Sequence, residues 1–217
     1  MAAAERLVTS GTFSLDGGTW EVDNNVWIVG DANEAVVIDP AHDPAAVVEA
    51  VGGRTVKAVI LTHGHDDHIR YAVDTAGKLG DAPVYLNPED RMLWDMVFPD
   101  SAPDAEIADG DTFEVAGVTL RALGTPGHSP GSTCLYAESG LTWDDAEAPV
   151  LFSGDTLFQG GPGATGRSYS SFETIIESIE NRLFTLPDET RVLTGHGDGT
   201  TIGTEKPSLQ EWKDRGF

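Results

Sequence analysis

Residues 8–15 and 20–29 mix apolar and polar positions with the short period of strands, and Asp16-Gly17-Gly18 between them is a turn signal. A third run follows at 35–38, so the chain opens as a β-meander. Asp43-Pro44 starts a helix through about Val51. Proline suits the first helical position because the N–H it lacks has no helical acceptor there. Residues 56–61 are apolar except for Lys57, which predicts a buried strand. Helices over 68–79, stopped by Gly80, and 88–97, capped by Asn87-Pro88, flank a short strand at 84–86.

The strand pattern then restarts at 112–115, 118–123, 133–137 and 150–153. Ser170-Ser171-Phe172-Glu173 fits a capping box opening a helix to about Leu186. Ile175, Ile176, Ile179, Leu183 and Leu186 form its apolar stripe. Val192 and Leu193 mark the last strand, and a helix from about Pro207 follows. Two successive sets of strands, each followed by helices, predict an α/β fold of one domain, with two sheets packed together and helices outside. Periodicity leaves the strand order open. The longest Gly/Pro-rich stretch, 160–166, lies between a strand and a helix and reads as a site loop.

With 217 residues, 40% of them apolar, the chain can bury a full core. Thirteen Lys and Arg against 36 Asp and Glu give a net charge of −23, which disfavours nucleic acid or an anionic membrane as partner. The single cysteine, Cys134, excludes an intramolecular disulfide and a cysteine-rich zinc site, and reads as a buried small hydrophobe. No run approaches the roughly 18 apolar residues of a spanning helix. The first residues lack the apolar core of a signal peptide, so the expected setting is cytoplasmic.

Three of the six histidines crowd into His63-Gly64-His65-Asp66-Asp67-His68, directly after a predicted strand and running into a helix. A strand-to-helix turn holds side chains on a rigid frame. Alternation puts His63 and His65 on one side, able to grip one ion, while Asp67 and His68 can face a neighbouring one. Imidazole with carboxylate suits Zn²⁺, and Fe or Mn less commonly. His128, Asp155 and His196 sit in glycine-flanked turns after predicted strands.

This ordered set, H-x-H-x-D-H followed by His128, Asp155 and His196 at long spacing, resembles the metallo-β-lactamase fold superfamily across nearly the whole chain. The resemblance implies a four-layer αβ/βα sandwich, two mixed sheets flanked by helices, with metals at one edge. It implies His63, His65 and His128 for a first metal, Asp67, His68 and His196 for a second, and Asp155 bridging them. Asp39, in Ile38-Asp39-Pro40, matches an aspartate behind the ligands, although Asp-Pro alone is also a turn signal. Two Zn²⁺ per chain are implied, with iron possible. A water between two divalent ions ionises near neutral pH, and the hydroxide would attack an acyl carbonyl, with Asp67 orienting it.

Asp155 stands where the commonest true metallo-β-lactamases carry a cysteine, and with Gly195-His196-Gly197 is similar to the small glyoxalase II-like (hydroxyacylglutathione hydrolase-like) branch. That implies hydrolysis of a small S-acyl thiol. Only 21 residues follow His196, so the C-terminal helical domain that helps classical members bind glutathione is not expected. The loop 159–167 also differs from the usual Gly-Arg-Thr-Asp, and the thiol could be another carrier, such as mycothiol. Arg167 either meets a substrate carboxylate or is a solvated surface residue. The alternative is a mononuclear-iron persulfide dioxygenase of the same fold, using His63, His128 and Asp155. Trp20, Trp27 and Trp94 read as core or rim packing. His42 defaults to an exposed or capping role, and segment 95–103 is placed as a lid over the metals. The oligomeric state is left open.

Overall fold

The structure, a computed structural model, describes residues 1–216. A long hairpin opens it. Strands β1 (Ala2–Leu15) and β2 (Gly18–Gly30) pair antiparallel along their whole length, and β3 (Glu34–Ile38) pairs antiparallel with β2. Helix α1 (Pro44–Val51) begins where Asp43 accepts the free N–H groups of Ala45 and Ala46. It leads to β4 (Thr55–Ile60), parallel to β3. Helices α2 (Asp66–Ile69) and α3 (Ala72–Lys78) precede β5 (Val84–Leu86), and α4 (Arg91–Val97) precedes β6 (Ala105–Glu106), both parallel additions. The helix expected over 68–79 therefore starts earlier and breaks at Arg70-Tyr71.

Strands β7 (Thr112–Val115), β8 (Val118–Gly124) and β9 (Thr133–Ala137) form the antiparallel half of a second sheet. The next hairpin, β10 (Leu141–Trp143) and β11 (Ala146–Glu147), crosses back and pairs with β1. Strand β12 (Val150–Gly154) returns to β9 and precedes a small ribbon, β13 (Leu157–Phe158) with β14 (Gly161–Pro162). Helix α5 (Phe172–Ser178) then widens into a π turn over Ile179–Leu183. Its cap sits one residue later than expected: Ser171 accepts from Thr174 N–H, because the Ser170 hydroxyl already accepts from Gly166 and Arg167. Strand β15 (Arg191–Thr194) runs parallel to β12, followed by β16 (Thr200–Thr201), α6 (Ile202–Glu205) and α7 (Leu209–Arg215).

The first sheet has the order β11-β10-β1-β2-β3-β4-β5-β6 and the second β16-β15-β12-β9-β8-β7. Side-chain alternation assigns the layers. Trp27 and Val29, Val36 and Ile38, Leu135 and Ala137, and Phe152 pack between the sheets. Val26 and Ile28, Ala35 and Val37 point the other way, onto Val47, Ile69, Ala76 and Trp94 of the helices. On the far side Cys134 and Tyr136 pack against Ile175, Ile179 and Trp212. Helices, sheet, sheet, helices give the four layers. Cys134 belongs to that outer core, and burial pushes its thiol up to about 11, as suits a small apolar side chain.

Candidate metal centre

Strand C-terminal ends deliver the functional side chains. Asp39 follows β3, the 63–68 loop follows β4, His128 follows β8, Asp155 follows β12 and His196 follows β15. The two sheets are tied beside this edge. Trp27 Nε1–H donates to Thr194 O at 3.0 Å, and Asn25 N–H to Gly195 O at 2.7 Å.

In His63, His68, His128 and His196 the ring nitrogen away from the centre is anchored, which sets the orientation of the imidazole. His68 Nδ1–H donates to Asp39 Oδ2 at 3.0 Å, His128 Nδ1–H to Ala164 O at 2.8 Å, and His196 Nδ1–H to Asp23 O at 2.8 Å. Thr62 donates its hydroxyl to Asp39 at 2.6 Å and so accepts from His63 Nδ1–H at 3.1 Å. Two groups of donors converge: His63, His65 and His128, and Asp67, His68 and His196, each with donor atoms within 4.8 Å of one another. Asp155 lies between them. Its Oδ2 is 3.5 Å from His128 Nε2 and 3.3 Å from His196 Nε2, and its Oδ1 is 3.6 Å from His68 Nε2.

Asp39, His63 and His68 also form a compact group. There the carboxylate is already filled: one oxygen accepts from Thr62 N–H at 2.8 Å, the other from the Thr62 hydroxyl and His68. Asp39 therefore orients imidazoles rather than offering lone pairs to an ion.

The donor set fits divalent metal. His128 Nε2 and Asp155 Oδ1, both at the centre, are buried with no hydrogen-bond partner. Such orphans are costly unless something else completes them. Charge is divided the same way. Burial holds His63 well below its usual value and brings His65 down to about 3, so both are neutral donors. Burial would lower His68 and His196 too, but Asp67 and Asp155 outweigh it and raise them to about 9 and about 11. Burial would raise Asp67 and Asp155; the imidazoles of His68 and His196 win, holding Asp67 at about 2 and Asp155 well below the carboxylate range. Protons on His68 and His196 thus balance the buried carboxylates, and metal must displace them.

Two supports escaped the sequence reading. Asn24 donates to Asp67 Oδ2 at 3.0 Å, and its own carbonyl oxygen takes His42 Nε2–H at 2.8 Å. His42 is thus a half-buried third link behind Asp67, neither an exposed residue nor a cap. Asp90, fully buried, joins the two loops of the first group: it accepts from Gly64 N–H at 2.7 Å, Ser129 Oγ–H at 2.6 Å and Gly131 N–H at 2.6 Å. Its only sequence signal was a polar residue inside a predicted helix. Asp90→Asn puts an NH₂ among these donors and should cost about 1–3 kcal/mol in denaturant unfolding. It should also weaken metal at His63, His65 and His128 more than at the other group, as read by competition with a chelator.

The cavity above the donors, about 260 Å³, is lined by Phe13, Trp20, Val22, Ala164, Arg167 and Ser170 besides the donors. Segment 95–103 is not part of it. Its first three residues end α4 and the rest folds back onto that helix, where Ser101 O accepts from the buried Trp94 indole at 3.1 Å, so the expected lid serves the core instead. Trp27 is also core, and Trp20, 40% exposed, is rim.

Comparison with known proteins agrees with this geometry. The family model described as Metallo-beta-lactamase superfamily matches residues 19–196. The chain is 32% identical over 193 residues to the hydroxyacylglutathione hydrolase GloC of Haemophilus influenzae, covering 82% of this chain and 87% of that one. The crystal structure of TTHA1623 in a di-iron-bound form is similar at 31% identity and a TM-score of 0.68, over 85% of this chain and 93% of that one. The BLEG-1 B3 metallo-beta-lactamase gives 28% identity and a TM-score of 0.73, over 92% and 97%. With its four layers, its family match and its paired His/Asp donor groups at one sheet edge, the chain belongs to the metallo-beta-lactamase superfamily.

Proposed function

We propose that the protein is a binuclear zinc hydrolase of small S-acyl thiols, using His63, His65 and His128 for one ion, Asp67, His68 and His196 for the other, and Asp155 for both. The observation that carries this reading is the completeness of both donor groups with Asp155 between them. Both groups are backed, by Asp39, Asn24 and Asp90, and every donor in them but the half-buried His196 is buried. The relative named hydroxyacylglutathione hydrolase supports a thioester as substrate.

Divalent ions held there would supply an ionised water near neutral pH and polarise an acyl carbonyl. The chain does the rest. Asp67, held by Asn24, points a carboxylate oxygen into the cavity beside His196 and can orient a water's proton. Phe13, Trp20 and Val22 offer an apolar wall to the acyl chain and sulfur. In the net reaction the C–S bond breaks, a C–O bond forms, and water's protons end on the thiol and the new acid. A thiolate leaves without a strong acid beside it, and the carboxyls lining the cavity, Asp67 and Asp155, are both held ionised by the neighbouring imidazoles.

Elemental analysis of protein that has never met a chelator tests the metal assignment, and a panel of S-acyl thiols tests the reaction. We expect about two zinc per chain, the two-ion arrangement, with thioesterase activity lost on chelation and regained with zinc. One iron per chain, with oxygen uptake on persulfides and no thioesterase activity, would replace this reading by the dioxygenase.

A further inference from the structure

We propose that His42 is a positioning residue for the second donor group. By fixing which way the Asn24 carboxamide faces, it governs how tightly Asp67, His68 and His196 hold their ion. This rests on the two-ion reading above.

Asn24 is fully buried, and its NH₂ lies 3.0 Å from Asp67 Oδ2, 3.4 Å from Asp67 O and 3.3 Å from His68 Nε2. It therefore stands against two of the three donors. A carboxamide has nearly the same shape either way round, so packing alone does not choose its orientation; hydrogen bonding does. The ionised Asp67 only accepts, which requires the NH₂ to face it. The Asn24 oxygen then faces His42 at 2.8 Å, so His42 must carry a proton on Nε2. Among the described residues His42 is the one hydrogen-bond donor to that oxygen. Reversed, the amide would set its oxygen against the Asp67 carboxylate. Like partial charges repel, and Asp67 would turn away from its place beside His196.

The placement of His42 is built. It centres a tight turn, with Asp43 N–H donating to Ala41 O at 2.7 Å, and its φ of +56° lies in the left-handed region. Glycine adopts that region freely and histidine does so at a cost, which points to a use for the side chain. The Thr9 hydroxyl donates to Ala41 O at 2.8 Å and pins the turn to β1. The ring lies on Gly11, where a Cβ would come within 2.1 Å of His42 Nδ1. Tyr71, at the break between α2 and α3, packs edge-on against it with ring centres 6.3 Å apart. The first group has a separate support, since Asp90 joins its two loops. The second ion can therefore be loosened alone.

Zinc competition against a chelator, read as two successive affinities, tests this. His42→Phe keeps a ring on Gly11 and removes the donor. It should weaken one ion by on the order of 10–100-fold, the range for losing a residue behind a ligand, and leave the other as in the parent protein. His42→Gln, whose side-chain N–H can reach the same oxygen, should restore most of the lost affinity. Asn24→Ala should match His42→Phe, and the double variant should be no worse than either, because both act along one chain of contacts. Melting of each metal-free variant is the control. Unchanged affinities in His42→Phe, or additive losses in the double variant, overturn the proposal. If His42→Phe does not fold, Gly11→Ala, which drives the ring off its seat, should show the same loss of one ion, and full affinity there overturns the proposal instead. If the parent protein takes up only one ion, the two-ion reading fails separately. Long-range ¹H–¹⁵N NMR of the metal-free protein then decides the role of His42: a proton on Nε2 supports its hold on Asn24, and a proton on Nδ1 alone overturns it.

Discussion

Asp155→Ala should lose metal and turnover together. This carboxylate lies within 3.6 Å of Nε2 atoms in both donor groups. Its removal also leaves the protons of His68 and His196 with only Asp67 and Asp39 to balance them. Uncompensated charge in a buried site is expelled by a pKa shift or by local opening. We expect kcat to fall by a factor on the order of 10³ or more, as losses of a bridging electrostatic group do, with metal per chain falling in parallel. Elemental analysis and thioester hydrolysis on the same sample check it. Retention of full metal and activity would remove Asp155 from the centre.

Gly195→Ala should weaken the same centre, less severely, while replacing no donor. A Cβ on Gly195 would stand 2.3 Å from Asp155 Oδ1 and 3.0 Å from His68 Cε1. The backbone cannot retreat, because Gly195 N–H donates to Gly154 O at 2.8 Å and its carbonyl accepts from Asn25 N–H at 2.7 Å. The side chain of Asp155 must turn instead, away from His128 and His196. Displacing a ligand through its support typically costs about 10–100-fold in metal affinity or activity. The measurement is zinc affinity by chelator competition, with metal-free melting as the control. If metal affinity matched the parent protein, the close approach at Gly195 would not position Asp155.

The elements that the sequence made legible are those whose cause is local. Val26 to Val29 and Leu135 to Ala137 sort onto alternate sheet faces by period two alone. Asp43 and Pro44 begin α1 as expected because capping involves three neighbouring residues. Where the expectation slipped, a competing partner explains it: Ser170 is taken by the Arg167 turn, so Ser171 caps α5. The β10–β11 hairpin could not be placed from the pattern, since its pairing with β1 spans most of the chain.

By itself the sequence showed which side chains can donate to a metal, because metal chemistry calls for imidazole and carboxylate and those identities are written in His63-Gly64-His65-Asp66-Asp67-His68, His128, Asp155 and His196. Tertiary structure alone decided what holds and surrounds them. Asp90 reaches across to Gly64 and Gly131, His42 reaches Asp67 through Asn24, and Trp20 carries Arg167, all across long stretches of chain. Such partners are ordinary residues whose roles come from position, and position is set by how the two sheets close on each other.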